Sequence, residues 1–249
     1  MTPSGQGDLA IQMTDLCTAF GSQKVLDGVT LTVAHGETLV VLGRSGTGKS
    51  VLLRHLIGLQ LPDSGSVRVL GEEITTLAEQ PLNAMRRKVG FVFQNAALYD
   101  SLSVVENVEF PLGHHTDLTP AQRRERAMEI LGRVGMDGAA AKMPADISGG
   151  MKKRVGLARA LALQPEMMLY DEPTAGLDPI TSGEISDLIL KLQAEHTMTS
   201  IVVTHDMGSA KAISNRVALL DEGKIVFDGG FDDLKTSENP VVALFVQKG

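Results

Sequence analysis

The stretch Gly43-Arg44-Ser45-Gly46-Thr47-Gly48-Lys49-Ser50 decides the fold of this chain, because it matches the pattern G-x-x-x-x-G-K-[ST]. It lies between an apolar run, Leu39–Leu42, and a run with helical spacing, Val51–Leu59. Its glycines let backbone N–H groups close around phosphate oxygens, and the next helix adds the positive end of its dipole. Lys49 would reach the β- and γ-phosphates, and the Ser50 hydroxyl would ligate Mg²⁺. The stretch therefore predicts a phosphate loop for a nucleoside triphosphate.

Composition narrows the classes of protein to consider. The 249 residues suffice for one compact domain with a sizeable core. With 23 Lys and Arg against 30 Asp and Glu, the net charge of −7 argues against a broad nucleic-acid footprint. A single cysteine excludes an internal disulfide. Met1–Gly7 lacks signal-peptide features and no apolar run reaches the roughly 18 residues that span a bilayer, so we expect any work at a membrane to use a partner.

Alternating patterns predict short strands at Leu9–Met13 and Val29–Val33, which would form a small β layer joined to the core. Phe20 lies between these strands and is followed by the turn pair Gly21-Ser22. Its spacing favours a core position, although an aromatic side chain here could also be a platform for a nucleotide base.

Helical patterns replace strand patterns over residues 95–162, which predicts a helical insertion. Thr119, Pro120 and Gln122 form a capping box that begins one helix, and Gly135 closes it. Later in the insertion, Ile147-Ser148-Gly149-Gly150-Met151 begins another helix and leaves free N–H groups at its start. That helix N-terminus predicts a second anion site, and two anion sites in one chain require an explanation.

Polar residues follow three other predicted strands. Gln94 follows strand Lys88–Phe93, Asp171 and Glu172 follow Met167–Tyr170, and His205 follows Ser200–Thr204. Because the carboxyl ends of parallel strands share one edge of an α/β sheet, these side chains should lie beside the phosphate loop. One carboxylate of the acidic pair would join the Mg²⁺ shell, and the other would orient or deprotonate water.

Three further patterns follow the acidic pair. Asp178 and Pro179 predict the start of a helix, and Val217–Phe227 predicts a hairpin with its turn at Glu222-Gly223. Ser237–Gly249, which contains Pro240, is typical of a terminal helix or tail.

These motifs, in this order, resemble the ATP-binding cassette family, the nucleotide-binding domains of ABC transporters, over nearly the whole chain. The resemblance implies an α/β fold with a RecA-like P-loop NTPase core of the ABC ATPase type, a small antiparallel β subdomain and an inserted α-helical subdomain. It implies a single domain over 1–249, with the core and β subdomain at about 8–94 and 163–230, the helical subdomain at about 95–162 and a tail at about 231–249.

The resemblance also implies residue roles. Phe20 corresponds to the aromatic residue that stacks on adenine, which replaces the core interpretation. Glu172 corresponds to the catalytic glutamate, a base or polariser of water, while His205 and Asp178 hold geometry. The implied catalytic residues are Glu172, His205 and Gln94, and the implied Mg²⁺ ligands are Ser50, Gln94 and Asp171. The residues that the resemblance implies for ATP binding are Phe20, Gly43, Arg44, Ser45, Gly46, Thr47, Gly48, Lys49, Ser50, Val51, Ser148, Gly149, Gly150, Met151 and Asp178.

The second anion site gains a use from the family's architecture, in which two cassettes pair head to tail. Each ATP then lies between the phosphate loop of one chain and the Ser148–Met151 helix start of the other. Met151 departs from the glutamine that most members carry, so a side-chain hydrogen bond is lost while backbone contacts to phosphate should survive.

The string Ile147–Arg154 is similar to the ATPases associated with Mla/Mce transport of phospholipid or other lipid between inner and outer membranes, and so are Phe93–Leu98, Leu169–Pro173 and the tail Glu238–Phe245. This resemblance implies a homodimer at the cytoplasmic face of the inner membrane, bound to an integral membrane permease. A lipid-binding MCE-type subunit and a small cytoplasmic regulatory subunit are further implied partners, and nucleic acid is not one. The alternatives are an importer of amino acids or another small solute, a non-transport ABC protein acting on DNA or ribosomes, and a small P-loop kinase.

Overall fold

The computed structural model describes residues 9–196 and 198–248, so Met1–Gly7 and the expected absence of a signal peptide there lie outside it. Its strands are β1 (Leu9–Phe20), β2 (Gln23–Ala34), β3 (Thr38–Leu42), β4 (Ser64–Val69), β5 (Glu72–Glu73), β6 (Val89–Val92), β7 (Met167–Asp171), β8 (Thr199–Thr204), β9 (Arg216–Asp221) and β10 (Lys224–Gly229). Its helices are α1 (Lys49–Leu56), α2 (Glu79–Arg86), α3 (Val104–His115), α4 (Pro120–Arg133), α5 (Gly149–Leu161), α6 (Pro179–His196), α7 (Met207–Ile213), α8 (Phe231–Lys235) and α9 (Pro240–Lys248).

A six-stranded sheet in the order β10-β9-β3-β8-β7-β6 forms the centre of the molecule. Its strands run parallel except β10, which pairs antiparallel with β9. Every residue of β3, β7 and β8 is buried, as expected for parallel strands that are covered on both faces. The hairpin β9–β10 turns at Glu222 and Gly223, which have φ of 44° and 77°, and confirms the predicted turn.

The two faces of the central sheet pack on different partners, because successive strand residues point to opposite faces. Leu39 and Val41 of β3 belong to a core shared with α1 and the small sheet. Val40 and Leu42 belong to a core shared with α3, α4, α5 and α6. The phosphate loop, which follows β3 directly, is therefore anchored between two packed layers.

The small antiparallel sheet has the order β2-β1-β4-β5. Its strands β1 and β2 have 12 residues each, so the short strands predicted at Leu9–Met13 and Val29–Val33 are too short. Register shifts between Met13 and Leu16, with Asp15 at φ 48°, mark a bulge that interrupts the alternation without ending the strand. That interruption hid the second half of β1 and the first half of β2 from the sequence pattern.

Helices α3, α4 and α5 lie in the chain between β6 and β7, with two 3₁₀ turns between α4 and α5. The capping box of Thr119 and Gln122 is confirmed at the start of α4, and a second one, Ser103 with Glu106, begins α3 and was not predicted. Helix α1 ends at Leu56, before the predicted Leu59, because the chain turns at Gly58 with φ 61°. The division into core, helical subdomain and tail stays a prediction.

No helix in the described part of the chain combines the length and apolar character that crossing a membrane requires.

Candidate nucleotide-binding site

Loops that follow β3, β6, β7 and β8 meet at the carboxyl edge of the central sheet, because these strands are parallel neighbours. A cleft of about 400 Å³ opens there beside the end of β1. Its lining residues are Phe20, Val25, Ser45, Gly46, Gly48, Lys49, Ser50, Val51, Arg54, Gln94, Glu172 and His205. The predicted convergence of the strand-end residues Gln94, Glu172 and His205 on the phosphate loop is thus observed.

The phosphate loop needs its glycines for space and backbone conformation. Gly48 has φ 101°, and a Cβ there would lie 2.9 Å from a methyl carbon of Val25. A Cβ on Gly43 would lie 2.6 Å from the backbone oxygen of Leu220. Gly43, Arg44 and Thr47 complete the loop, although they are not among the described residues that line the cleft. The loop therefore lies close against two other chain segments.

Lys49 is buried at the floor of the cleft, with 5% of its surface exposed. Its Nζ donates to the backbone oxygens of Gly43 at 2.8 Å and Arg44 at 3.0 Å. It also lies 3.3 Å from Glu172 Oε1 in an ion pair. The ammonium is thus held by the loop itself and aimed at the same space as the Glu172 carboxylate.

Glu172 lies between a cation and an imidazole. Its second carboxylate oxygen, Oε2, lies 2.9 Å from His205 Nδ1, and the backbone N–H of Glu172 donates to Val203 at 2.9 Å. The residue has φ 47°, an unfavourable backbone conformation for a non-glycine residue, and such strain is concentrated at functional sites. A fixed carboxylate that is 7% exposed at the cleft wall is placed to accept a proton from water or to orient it.

Asp171 and Ser50 offer two oxygen atoms for a cation. The Ser50 hydroxyl donates to Asp171 Oδ1 at 2.8 Å. Burial raises the pKa of Asp171, and the hydrogen bond from Ser50 opposes that rise. A hydroxyl and a carboxylate suit Mg²⁺, which is bound through few protein ligands plus phosphate oxygens. In residues 9–196 and 198–248 no group of three or more His, Cys, Asp or Glu could hold a metal ion.

Phe20 is the last residue of β1 and is 51% exposed at the mouth of the cleft, so the core interpretation from spacing is wrong. The turn that follows β1 releases its side chain from the sheet. Hydrogen bonds of the two preceding residues hold the end of β1 in place. The N–H of Ala19 donates to Asp63 Oδ2 at 2.7 Å, and Thr18 Oγ1 lies 2.8 Å from His55 Nε2. The role of Phe20 as a base platform stays a prediction.

The remaining predicted binding residues lie elsewhere. Ser148 caps α5 by accepting a hydrogen bond from Met151 N at 3.3 Å, and Ser148 and Gly149 are exposed. Asp178 Oδ1 accepts from Thr181 N at 3.0 Å at the start of α6. Among the described residues, Ser148–Met151 and Asp178 do not line the cleft around Lys49. Within one chain, the predicted second anion site is separate from the first.

Two basic residues at the site were not predicted. Arg54 lines the cleft from α1, four residues after Ser50, a spacing that places it on the same helix face and could have revealed it. Lys153 donates to the backbone oxygens of both Gln94 and Glu172, and no sequence pattern distinguishes it from its neighbour Lys152.

Residues 26–175 match the protein family described as ABC transporter. The chain belongs to this family. The resemblance found in the motifs is thereby confirmed, and the chain is an ABC-type ATPase.

Curated relatives extend the match to most of the chain. The probable ribonucleotide transport ATP-binding protein mkl of Mycobacterium tuberculosis is 40% identical over 238 residues, 96% of this chain and 66% of its own length. The methionine import ATP-binding protein MetN of Rhizobium johnstonii is 43% identical over 219 residues, covering 88% of this chain and 60% of its own. Protein TRIGALACTOSYLDIACYLGLYCEROL 3, chloroplastic, of Arabidopsis thaliana is 40% identical over 255 residues, covering 96% of this chain and 73% of its own length. This chain thus spans just under two thirds of the mycobacterial relative.

Solved structures show the same fold. A dimeric ATP-binding cassette in a post-hydrolysis state, bound to ADP and phosphate, superposes with a TM-score of 0.82 at 33% identity, covering 89% of this chain and 98% of that one. The cbiO1 cassette of Clostridium perfringens, part of an ABC transporter complex, gives 0.83 at 28% identity over 96% of both chains. The predicted α/β P-loop fold of the ABC ATPase type is confirmed.

Proposed function

We propose that this ATPase works as a homodimer that closes around two ATP molecules and powers a membrane permease, with lipid as the transported substrate. The observation that carries the proposal is the arrangement of Lys49, Glu172 and His205 at one cleft, with the second anion site exposed elsewhere on the same chain.

Hydrolysis needs a nucleophile, and the cleft provides a group to activate water. Glu172 accepts the proton of the attacking water or polarises it, and His205 holds the carboxylate in place from its other side. Lys49 neutralises charge that develops on the β- and γ-phosphates. Ser50 and Asp171, with Gln94, would hold Mg²⁺, which when bound would neutralise charge on the phosphate oxygens.

A second copy of the chain completes the site. The backbone N–H groups at the start of α5, where Ser148 and Gly149 are exposed, can bind phosphate oxygens, but in their own chain these residues do not line the cleft. The related dimeric cassette that binds ADP and phosphate supports pairing of this kind. Ile180, two residues after Asp178, is 78% exposed, an apolar side chain that head-to-tail pairing would cover.

The permease would bind beside the Gln94 loop. An open groove of about 410 Å³ there is lined largely by apolar residues, and Phe93, Tyr99 and Phe110 are exposed in it. The rings of Tyr99 and Phe110 contact each other at a tilt of 41°, with centroids 4.6 Å apart. An apolar groove of this kind accepts the apolar face of a helix, and its position would connect the permease to Gln94.

Lipid as the substrate is supported by the Ile147–Arg154 string and by the galactolipid in the name of the Arabidopsis relative. The methionine importer at 43% identity favours the alternative, an importer of amino acids. We place the chain at the cytoplasmic face of the inner membrane, with an MCE-type lipid-binding subunit and a small regulatory subunit as further partners.

The test is to purify the chain with its native membrane partners and to identify the copurifying molecules by mass spectrometry. Lipid bound to a lipid-binding subunit is the expected result. A periplasmic amino-acid-binding protein without a lipid-binding subunit would overturn the lipid proposal and favour the importer.

A further inference from the structure

Lys153 of α5 is a buried lysine outside the cleft, with 6% of its surface exposed. Its Nζ donates to the backbone oxygen of Gln94 at 2.5 Å and to that of Glu172 at 3.0 Å. Burial lowers its pKa, while the charges of Glu172 and Asp171 oppose that effect. Since burying an ammonium is costly unless it is paired and hydrogen-bonded, its place in the fold depends on these acceptors.

The two carbonyl groups occupy equivalent positions on neighbouring strands. Strands β6 and β7 are paired in parallel up to Val92 and Tyr170. Gln94 and Glu172 each follow that last pair by two residues, where the strand ladder has stopped. Beyond the last paired residues, the Lys153 ammonium links the two chain segments by hydrogen bonds to both backbone oxygens.

Other residues on the same face of α5 hold the Gln94 loop. Gly156 and Arg159 follow Lys153 at intervals of three, a spacing that places all of them on one helix face. A Cβ on Gly156 would lie 3.2 Å from Ala96 Cβ, so the loop lies directly on the helix. Arg159 donates to the backbone oxygens of Ala96 at 2.7 Å and Ala97 at 2.6 Å.

This contact also stabilises an unfavourable backbone. Ala96 and Ala97 have φ of 57° and 47°, and Glu172 has φ 47°. Such conformations persist where surrounding structure fixes them. Helix α5 provides that support, and among Lys153, Gly156 and Arg159 the lysine also reaches the backbone of Glu172.

We infer that Lys153 is a positioning residue for ATP hydrolysis, which sets the separation of Gln94 and Glu172 by binding both main chains from α5. The inference rests on the proposed role of Glu172 in activating water. Helix α5 begins at the predicted Ser148–Met151 anion site. A movement of α5 would therefore move Gln94 and Glu172 together, because the Lys153 ammonium binds the main chains of both. The Lys153 side chain itself does not line the nucleotide cleft.

The test compares Lys153→Met with Lys152→Met, which makes the same change on the next residue of α5, where the side chain is half-buried. Steady-state kinetics and ATP titrations are measured for both variants. We expect Lys153→Met to lower kcat about tenfold or more with ATP affinity within about threefold, because a misplaced catalytic group costs rate rather than binding. Lys152→Met should keep kcat within about twofold of the unmodified chain.

Lys153→Gln keeps an N–H donor without the charge and should give an intermediate kcat. Circular dichroism melts verify folding, and if the methionine variant does not fold, the glutamine variant carries the comparison. A kcat for Lys153→Met within about twofold of the unmodified chain, or a fall in kcat matched by an equal fall in ATP affinity, would overturn the inference. Turnover retained by Glu172→Gln would refute the role of Glu172 itself, whereas an active Lys153→Met beside an inactive Glu172→Gln refutes only the positioning.

Discussion

The two predicted anion sites of this chain are both helix N-termini with glycine at the start, Gly48 as the N-cap of α1 and Gly149 as the first residue of α5, yet they differ in their surroundings. Around Gly43–Ser50 the sheet edge brings a buried ammonium, two carboxylates and an imidazole to one cleft. At the start of α5, Ser148 and Gly149 are exposed, and the backbone N–H of Met151 donates to the capping Ser148 hydroxyl. The first site has the groups for chemistry, whereas the described residues of the second offer backbone N–H groups that can bind an anion.

This difference indicates a division of labour. A helix N-terminus gives binding but no proton transfer, whereas a carboxylate fixed between Lys49 and His205 can act on water. The account therefore predicts that damage to the first site abolishes chemistry or nucleotide affinity, and that damage to the second site prevents pairing of two chains. The following variants separate these outcomes.

Glu172→Gln should produce the largest effect. The amide keeps the shape of the side chain but cannot accept a proton, so we expect kcat to fall about 10²–10⁴-fold while ATP still binds. Phosphate release and nucleotide titration measure the two quantities separately.

Glu166→Gln is the matched control, because Glu166 lies just before the first residue of β7, whereas Glu172 lies just after the last. Glu166 makes an exposed ion pair with Lys88 at 3.2 Å. The substitution should leave turnover nearly unchanged, because exposed pairs contribute about 0–1 kcal/mol. Near-normal turnover in Glu172→Gln would contradict the role assigned to that residue.

Lys49→Ala should produce a smaller effect on a different quantity. Removing a charge-assisted donor to the phosphates costs about 1.5–3 kcal/mol, which corresponds to roughly 10–100-fold in ATP affinity. Equilibrium titration with a fluorescent ATP analogue measures this loss, and Lys24→Ala at an exposed strand position serves as control. Tight binding of the triphosphate by Lys49→Ala would count against the phosphate-loop assignment.

The smallest effect concerns the contribution to stability of His55, which contacts Thr18 two residues before Phe20. Burial lowers the pKa of His55 below its ordinary value of 6.5, although the backbone oxygen of Gln60 and the charge of Asp63 oppose the shift. The unfolded chain therefore takes up this proton first, so stability should fall as the pH drops from about 6.5 toward the lowered pKa.

For one proton the slope of this loss is at most about 1.4 kcal/mol per pH unit, equivalent to a few °C in melting temperature. Melting curves at several pH values should show that His55→Gln reduces the slope of melting temperature against pH. The control His35→Gln, at an exposed turn, should leave that slope unchanged. Equal slopes in all three proteins would show that His55 does not contribute.

Most of the first site could be predicted from the sequence, because its residues lie at fixed places relative to strand ends. The phosphate loop follows β3, and Gln94, Glu172 and His205 follow β6, β7 and β8. Parallel pairing then brings them together without further information.

Contacts that depend on packing could not be predicted. Lys153 reaches two loops only because α5 crosses the ends of β6 and β7, and nothing in its neighbourhood of Lys152 and Arg154 distinguishes it. Phe20 was assigned to the core from spacing, since exposure at the end of a strand, just before a turn, leaves no periodic signal. Bulges also hid half of β1 and β2, because a bulge shifts the alternation on which strand prediction depends.

The most direct test of the central claim is the mass of Glu172→Gln in saturating Mg²⁺ and ATP, measured by sedimentation. The account predicts twice the 26.5 kDa of one chain with ATP, and a single-chain mass without it. Adding Ser148→Arg to this variant should leave ATP bound but the mass at that of one chain. A Glu172→Gln protein that is saturated with ATP and remains a single chain would contradict the claim that two copies form the nucleotide site.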